Sequence, residues 1–173
     1  MQYKNKKLPT SYRPTSSHII KALGNLLDFK DKLVIDLYAG SGRFGKLAIQ
    51  KSAFYTVFVE KDYKLVSILK KNLKDNPNCR VIKEDVFSFL RKPLIKIPSP
   101  VNIIFADPPF KDIAGKDLLS GLETSCLVEN GTMFVLQQFH KTIEASHPYW
   151  EVIDNRRYGE QRILFYKCII QTK

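Results

Sequence analysis

Leu33-Val34-Ile35-Asp36-Leu37-Tyr38-Ala39-Gly40-Ser41-Gly42-Arg43-Phe44-Gly45 reads as a strand, a glycine turn and the start of a helix. The run Leu33–Leu37 is short and almost wholly apolar, which suits a strand covered on both faces. Gly40 and Gly42 let the backbone turn tightly and approach a ligand closely. The helix is expected over Gly42–Lys51. A strand passed directly to a helix in this way is the unit of parallel α/β sheets, and its turn is where such sheets bind ligands.

Outward from that unit the pattern alternates. Upstream, Thr15 or Ser16 caps a helix whose apolar face is Ile19, Ile20, Leu23, Leu26 and Leu27. Downstream, Tyr55–Val59 is a β-branched and aromatic strand, followed by a helix over 62–75. Then come a strand Arg80–Lys83, a short helix Val86–Arg91 and a proline-bounded loop Pro93–Pro100. A strand Val101–Ala106, a helix over 115–126 and a strand Thr132–Leu136 continue the series. Trp150–Asp154 and Ile163–Ile170 close it as a hairpin-type pair around Tyr158-Gly159. The pattern predicts an α/β fold with a seven-stranded, mostly parallel sheet and helices on both faces. No helix separates the last two strands, so the last strand is expected to be antiparallel. A chain of 173 residues suits one domain, here preceded by a basic arm over about residues 1–14.

The formal net charge is +11, which draws such a domain to polyanions, nucleic acid above all. Lysine outnumbers arginine 21 to 7, so charge alone does not name the partner. Placement adds to it: Lys4, Lys6, Lys7 and Arg13 crowd the arm, and Arg156-Arg157 stand near the other end. No apolar run approaches the roughly 20 residues of a membrane helix, and no signal-peptide core follows the basic N-terminus. A cytoplasmic protein with no membrane partner is expected. Cys79, Cys126 and Cys168 are isolated, as are His18, His140 and His147, so no metal site is expected. Two of the cysteines lie in apolar surroundings and are expected to pack as small hydrophobes, while Cys79 opens a strand.

The glycine turn formally matches G-x-G-x-x-G, which by itself suggests a dinucleotide. Acids at the strand ends refine this. Glu60, 18 residues after Gly42, can accept both hydroxyls of a ribose and would repel a 2′-phosphate. Asp85 can accept from an adenine amine. Each of these acids also suits a helix cap. Asp36, in the last turn of the first strand, can hold a ligand ammonium, which a pyrophosphate cofactor lacks. The set tips from NAD toward S-adenosylmethionine. After the fourth strand comes Asp107-Pro108-Pro109-Phe110: an acceptor, two rigid prolines and an aromatic ring. These suit holding a planar, amine-bearing ring while a group is transferred to its nitrogen.

Together these motifs resemble the class I S-adenosylmethionine-dependent methyltransferases of the amino type, a Rossmann-like fold. Lys7-Leu8-Pro9, Arg13-Pro14-Thr15, Asp36 to Gly45, Glu60, Asp85, Asp107 to Phe110 and Tyr158-Gly159 occur in the order seen in the bacterial 16S rRNA (guanine-N2)-methyltransferase family. The resemblance implies methylation of a guanine N2 amine in 16S rRNA, within the 30S subunit or its precursor, by a monomer active in ribosome biogenesis. It implies Asp107, Pro108, Pro109 and Phe110 as catalytic. It implies Asp36, Tyr38, Ala39, Gly40, Gly42, Glu60, Lys61, Asp85, Val86 and Asp107 as the cofactor site. Lys4, Lys6, Lys7, Arg13, Thr15, Arg43, Arg156 and Arg157 would meet RNA. The helix after Arg13-Pro14-Thr15 departs from the family's charged pattern, with Ser17, His18, Ile20 and Lys21 in those positions. Three other readings stay open: an adenine N6 or glutamine amide acceptor, a non-catalytic RNA-binding factor on the same fold, and an NAD oxidoreductase.

Overall fold

The structure, a computed structural model, describes residues 15–93, 100–109 and 115–170. Its strands are β1 (Leu33–Leu37), β2 (Tyr55–Glu60), β3 (Cys79–Lys83), β4 (Ile103–Ala106), β5 (Met133–Phe139), β6 (Trp150–Tyr158) and β7 (Gln161–Cys168). Its helices are α1 (Ser17–Leu26), α2 (Arg43–Gln50), α3 (Tyr63–Leu73), α4 (Val86–Arg91) and α5 (Gly115–Glu123). The strands form one sheet in the order β3-β2-β1-β4-β5-β7-β6. Pairs from β3 to β5 are parallel. β7 runs antiparallel to both of its neighbours, so it alone opposes the rest, as expected.

Alternation along each strand splits the core between the two faces. Val34, Phe105, Val135 and Ile163 point to one side, where α1 and α2 cover them with Ile19, Leu23, Phe44 and Ala48. Ile35, Leu37, Ile104, Leu136 and Leu164 point to the other, under Phe89 and Leu90 of α4 and Leu118, Leu119 and Leu122 of α5. Every residue of β1 is buried, which explains its unbroken apolar run. Ser16 starts α1 by accepting from the Ile19 amide at 3.2 Å. Asp62 starts α3 by accepting from Lys64 and Leu65. Phe44 stacks on Phe105 with ring centroids 4.2 Å apart, which sets the start of α2 over the end of β4.

Some expected boundaries shift. β6 continues from Asp154 to Tyr158, because β7 supplies partners to its polar run up to Tyr158↔Gln161. β5 continues to Phe139 for the same reason. β4 ends at Ala106, opposite Leu136. The β5–β7 ladder therefore projects three residues past it, roughly 10 Å at the strand rise. Cys168 is buried and Cys79 opens β3, but Cys126 is exposed, contrary to the expectation that it packs as a core hydrophobe. Among the described residues, no helix is long and apolar enough to cross a membrane.

Candidate active site

From β1 the chain moves outward to β2 and β3, then crosses back to β4 on the other side of β1. The carboxyl ends of β1 and β4 therefore flank the topological switch point, where open α/β sheets form a ligand crevice. Asp36 and the glycine turn stand on one side of it, and Asp107 stands just past the end of β4 on the other. A cavity of about 40 Å³ there is lined by Thr15, Asp36, Tyr38, Ala39, Arg43, Phe44, Phe105 and Asp107. A roomier cavity of about 330 Å³ lies at the opposite edge of the sheet. Polar groups there serve the fold: Asn102 accepts from the Leu33 amide, and Thr132 donates to the Val101 carbonyl.

The glycine turn is held by its own acids. Asp36 accepts from the Gly45 amide at 2.9 Å, and Glu60 accepts from the Gly40 amide at 2.8 Å. The second oxygen of Glu60 accepts from the Asp62 amide at 2.8 Å. Each carboxylate oxygen has two lone pairs, so these bonds do not exhaust either acid. Gly40 and Gly42 both take positive φ, +55° and +74°. The expected close approach to a ligand is not the only reason for glycine. A Cβ on Gly42 would stand 2.5 Å from Leu69, and one on Gly45 would stand 2.2 Å from Phe58. The turn is glycine-rich because it packs on β2 and α3.

Burial pushes the Asp36 carboxyl well above its usual range. The Gly45 hydrogen bond opposes that shift, and the nearby charges of Asp107 and Glu60 add to it. Lys46 donates to the Ser41 carbonyl, and burial lowers its ammonium. Carboxylates that repel one another at the mouth of a crevice are relieved by a cation placed between them. Tyr38 adds a second unsatisfied group. Its φ is +57°, its buried hydroxyl has no partner among the described residues, and burial followed by the Asp85 charge raises its pKa. A buried hydroxyl without such a partner is a place where a ligand's polar group can bind.

The other expected cofactor residues divide. Ala39 lies in the turn with its amide on the Val59 carbonyl. Lys61 is exposed just beyond β2. Asp85 caps α4, accepting from the Phe87 and Ser88 amides. The cap is therefore realised, and a ligand would have to share this carboxylate. The Val86 side chain is buried in the core under β1 and β2, which leaves its backbone to meet a ligand.

On the acceptor side, Pro108 and Pro109 follow Asp107 in the chain, the first partly buried and the second exposed. Phe110 lies outside the described residues, as do Lys4, Lys6, Lys7, Arg13 and the rest of the arm. Thr15, expected on RNA, donates its hydroxyl to Asp107 Oδ2 at 2.7 Å. Arg43, also expected on RNA, donates to the Thr15 carbonyl and to Ser17 Oγ. Sequence reasoning missed both contacts, because 92 residues separate Thr15 from Asp107. It also missed Gln137, whose buried Oε1 has no partner among the described residues, one residue past the Leu136↔Ala106 pair. The polar pair inside an otherwise apolar run, Val135-Leu136-Gln137-Gln138-Phe139, was the available signal.

Arg156 and Arg157 fall on opposite faces of β6. Arg156 pairs with Ile163, which faces α1, and Arg157 pairs with Arg162. Arg156 is ion-paired to Asp154 at 2.7 Å, and Arg157 donates to the Gly159 carbonyl. Among the described residues, no cluster of three or more His, Cys, Asp or Glu could hold a metal ion.

The chain is similar to known proteins in sequence and in fold. Ribosomal RNA small subunit methyltransferase D of Buchnera aphidicola (subsp. Acyrthosiphon pisum) is 27% identical over 167 residues, spanning 94% of this chain and 85% of that protein. The solved structure of the Escherichia coli protein yhhF superposes with a TM-score of 0.81 at 24% identity, covering 98% and 96% of the two chains. An RNA methyltransferase from Salinibacter ruber, solved with S-adenosyl-L-homocysteine, gives 0.68 at 17% identity over 93% and 97%. These likenesses show the Rossmann-like class I methyltransferase fold, and the resemblance read from the sequence is borne out. A family model matches residues 2–167, and the chain belongs to that family, described as Conserved hypothetical protein 95.

Proposed function

We propose that this protein methylates the exocyclic N2 amine of a guanine in 16S rRNA, with S-adenosylmethionine as donor. One observation carries the reading: Asp107, which opens the Asp-Pro-Pro run after β4, lines one cavity with the buried Asp36 at the switch point. The relative named for methylation of small-subunit ribosomal RNA and the net charge of +11 support an rRNA substrate. The Salinibacter neighbour's bound S-adenosyl-L-homocysteine supports the donor.

The residues suit that donor. Asp36 would hold its ammonium, Glu60 its ribose hydroxyls, and Asp85 its adenine amine. The Tyr38 hydroxyl, Ala39, the Gly40–Gly42 turn, Lys61 and the Val86 backbone would complete the site. A net positive donor relieves the mutual repulsion of Asp36, Glu60 and Asp107. When bound, it supplies an electrophilic methyl group on a sulfonium leaving group.

The acceptor side does the activating. An aromatic exocyclic amine is a weak nucleophile because its lone pair is delocalised into the ring. Asp107 and the Pro108 carbonyl accept its two hydrogens, which lets the nitrogen present that lone pair. Acceptors fixed where positive charge develops, together with alignment, provide most of the gain. Asp107 takes the proton once the nitrogen is alkylated. Phe110 stacks on a base drawn out of its helix or presented in a loop. The basic arm, Arg156 and Arg157 hold phosphates. We place this activity in a cytoplasmic monomer of one domain, acting on the 30S subunit or its precursor.

The test is radiolabelled methyl transfer to 30S particles, free 16S rRNA and DNA, followed by nucleoside analysis. Labelled N2-methylguanosine in the RNA is expected. Label on adenine or on protein would move the acceptor to N6 or to a glutamine amide. No label on any substrate would leave an RNA-binding factor.

A further inference from the structure

Arg43 is the first residue of α2 and directly follows Gly42, whose left-handed backbone ends the glycine turn. Its partly exposed guanidinium folds back onto the start of α1. One nitrogen donates to the Thr15 carbonyl, and the other donates to Ser17 Oγ at 2.7 Å. Both acceptors sit at the start of α1. Thr15 in turn donates its hydroxyl to Asp107 Oδ2 at 2.7 Å. Two hydrogen bonds from a planar fork fix direction as well as distance. The cofactor turn, the start of α1 and the Asp107 carboxylate thus form one continuous line of contacts. Ser17, where the sequence departs from the family's charged pattern, is one of the groups that Arg43 holds.

We propose that Arg43 and Thr15 are positioning residues for methyl transfer. Thr15 fixes the rotation of the Asp107 carboxylate, and Arg43 locks Thr15 to the turn that carries the donor. Neither residue takes or gives a proton in the reaction. Thr15 holds one carboxylate oxygen and so sets the plane in which the carboxylate meets an amine. Arg43 makes that plane depend on the geometry of the glycine turn. An ordered donor site and an oriented acceptor then arise together. This proposal rests on the methyl-transfer reading above.

The test compares wild type, Thr15→Ala, Thr15→Ser, Arg43→Ala and the Thr15→Ala/Arg43→Ala double variant. The readouts are steady-state methyl transfer to 30S particles, S-adenosylhomocysteine affinity by calorimetry, and thermal unfolding. Misorientation of one catalytic group costs on the order of 100-fold in favourable cases. Thr15→Ala is expected to lower kcat by roughly 10- to 100-fold with KM and S-adenosylhomocysteine affinity within a few-fold. Thr15→Ser, which keeps the hydroxyl, restores most of kcat. Arg43→Ala falls in the same direction, and the double variant is no worse than the poorer single one, because both act through one contact line. A Thr15→Ala enzyme with normal kcat overturns the proposal. So does a loss of kcat that Thr15→Ser fails to restore, or one that only follows a fall in melting temperature. Failure of wild type to transfer methyl to any substrate would instead sink the methyl-transfer reading, and the role assigned to these residues with it.

Discussion

The two ends of the sheet's carboxyl edge are built on opposite principles. At β1 and β2 the candidate groups are buried carboxylates held by backbone amides, Asp36 by Gly45 and Glu60 by Gly40 and Asp62. At β6 they are exposed cations held by near neighbours, Arg156 by Asp154 and Arg157 by Gly159. The first arrangement is rigid and carries a mismatch of charge that a cationic small molecule corrects. The second is cheap to rearrange, since an exposed ion pair is worth only about 0–1 kcal/mol. Donor sites are preorganised in this way, while surfaces that meet a polyanion exchange local partners for phosphates.

The comparison breaks most severely if the rigid side tolerates change. Gly45→Ala puts a methyl group 2.2 Å from the Phe58 ring, inside a core that has no room to give. It should cost about 1–3 kcal/mol of stability, measured by chemical denaturation, and lower donor affinity by calorimetry. A neutral result would mean that the turn is not anchored on β2.

A subtler test uses pH. Burial raises the Asp36 carboxyl above its unfolded value, so the folded state binds its proton more tightly. Stability from this group is therefore greatest at low pH and falls as pH rises from the unfolded pKa through the raised folded one. Asp36→Asn removes that loss while keeping an acceptor for the Gly45 amide. The variant should melt a few degrees above wild type at pH 8, with the gap closing toward pH 4, yet bind the donor more weakly. A wild-type protein that is equally stable across this range would contradict the assignment.

On the flexible side, the effects are smaller and uneven. Arg156 lies on the sheet face that α1, Thr15 and Asp107 share, while Arg157 lies on the other. Arg156→Ala should weaken RNA binding several-fold and reduce the salt slope by about one, in fluorescence titrations at several ionic strengths. Arg157→Ala should do less. Equal effects would show that RNA wraps the edge rather than meeting one face.

Much of this was legible in the chain, for physical reasons that differ by region. β1 is buried at every position, so its apolar run and glycine turn identified the α/β unit without tertiary information. β6 was read short because its second half, Asn155-Arg156-Arg157-Tyr158, is an edge segment with no apolar periodicity to mark it. Asp85 and Val86 show a second limit. A sequence position after a strand marks the right neighbourhood, but capping and core packing decide which atoms face it. The contact between Thr15 and Asp107 lay beyond any local pattern, since it exists only once α1 packs over β4.

The central claim is that Asp107 activates the acceptor while the acids at β1 and β2 hold the donor. The most direct measurement is radiolabelled methyl transfer and calorimetric donor affinity on Asp107→Ala beside Glu60→Ala. Asp107→Ala should yield no labelled product with donor affinity within several-fold of wild type. Glu60→Ala should weaken the donor by roughly 10-fold or more, as losing hydrogen bonds to a charged acceptor implies. Full activity in Asp107→Ala would contradict the account.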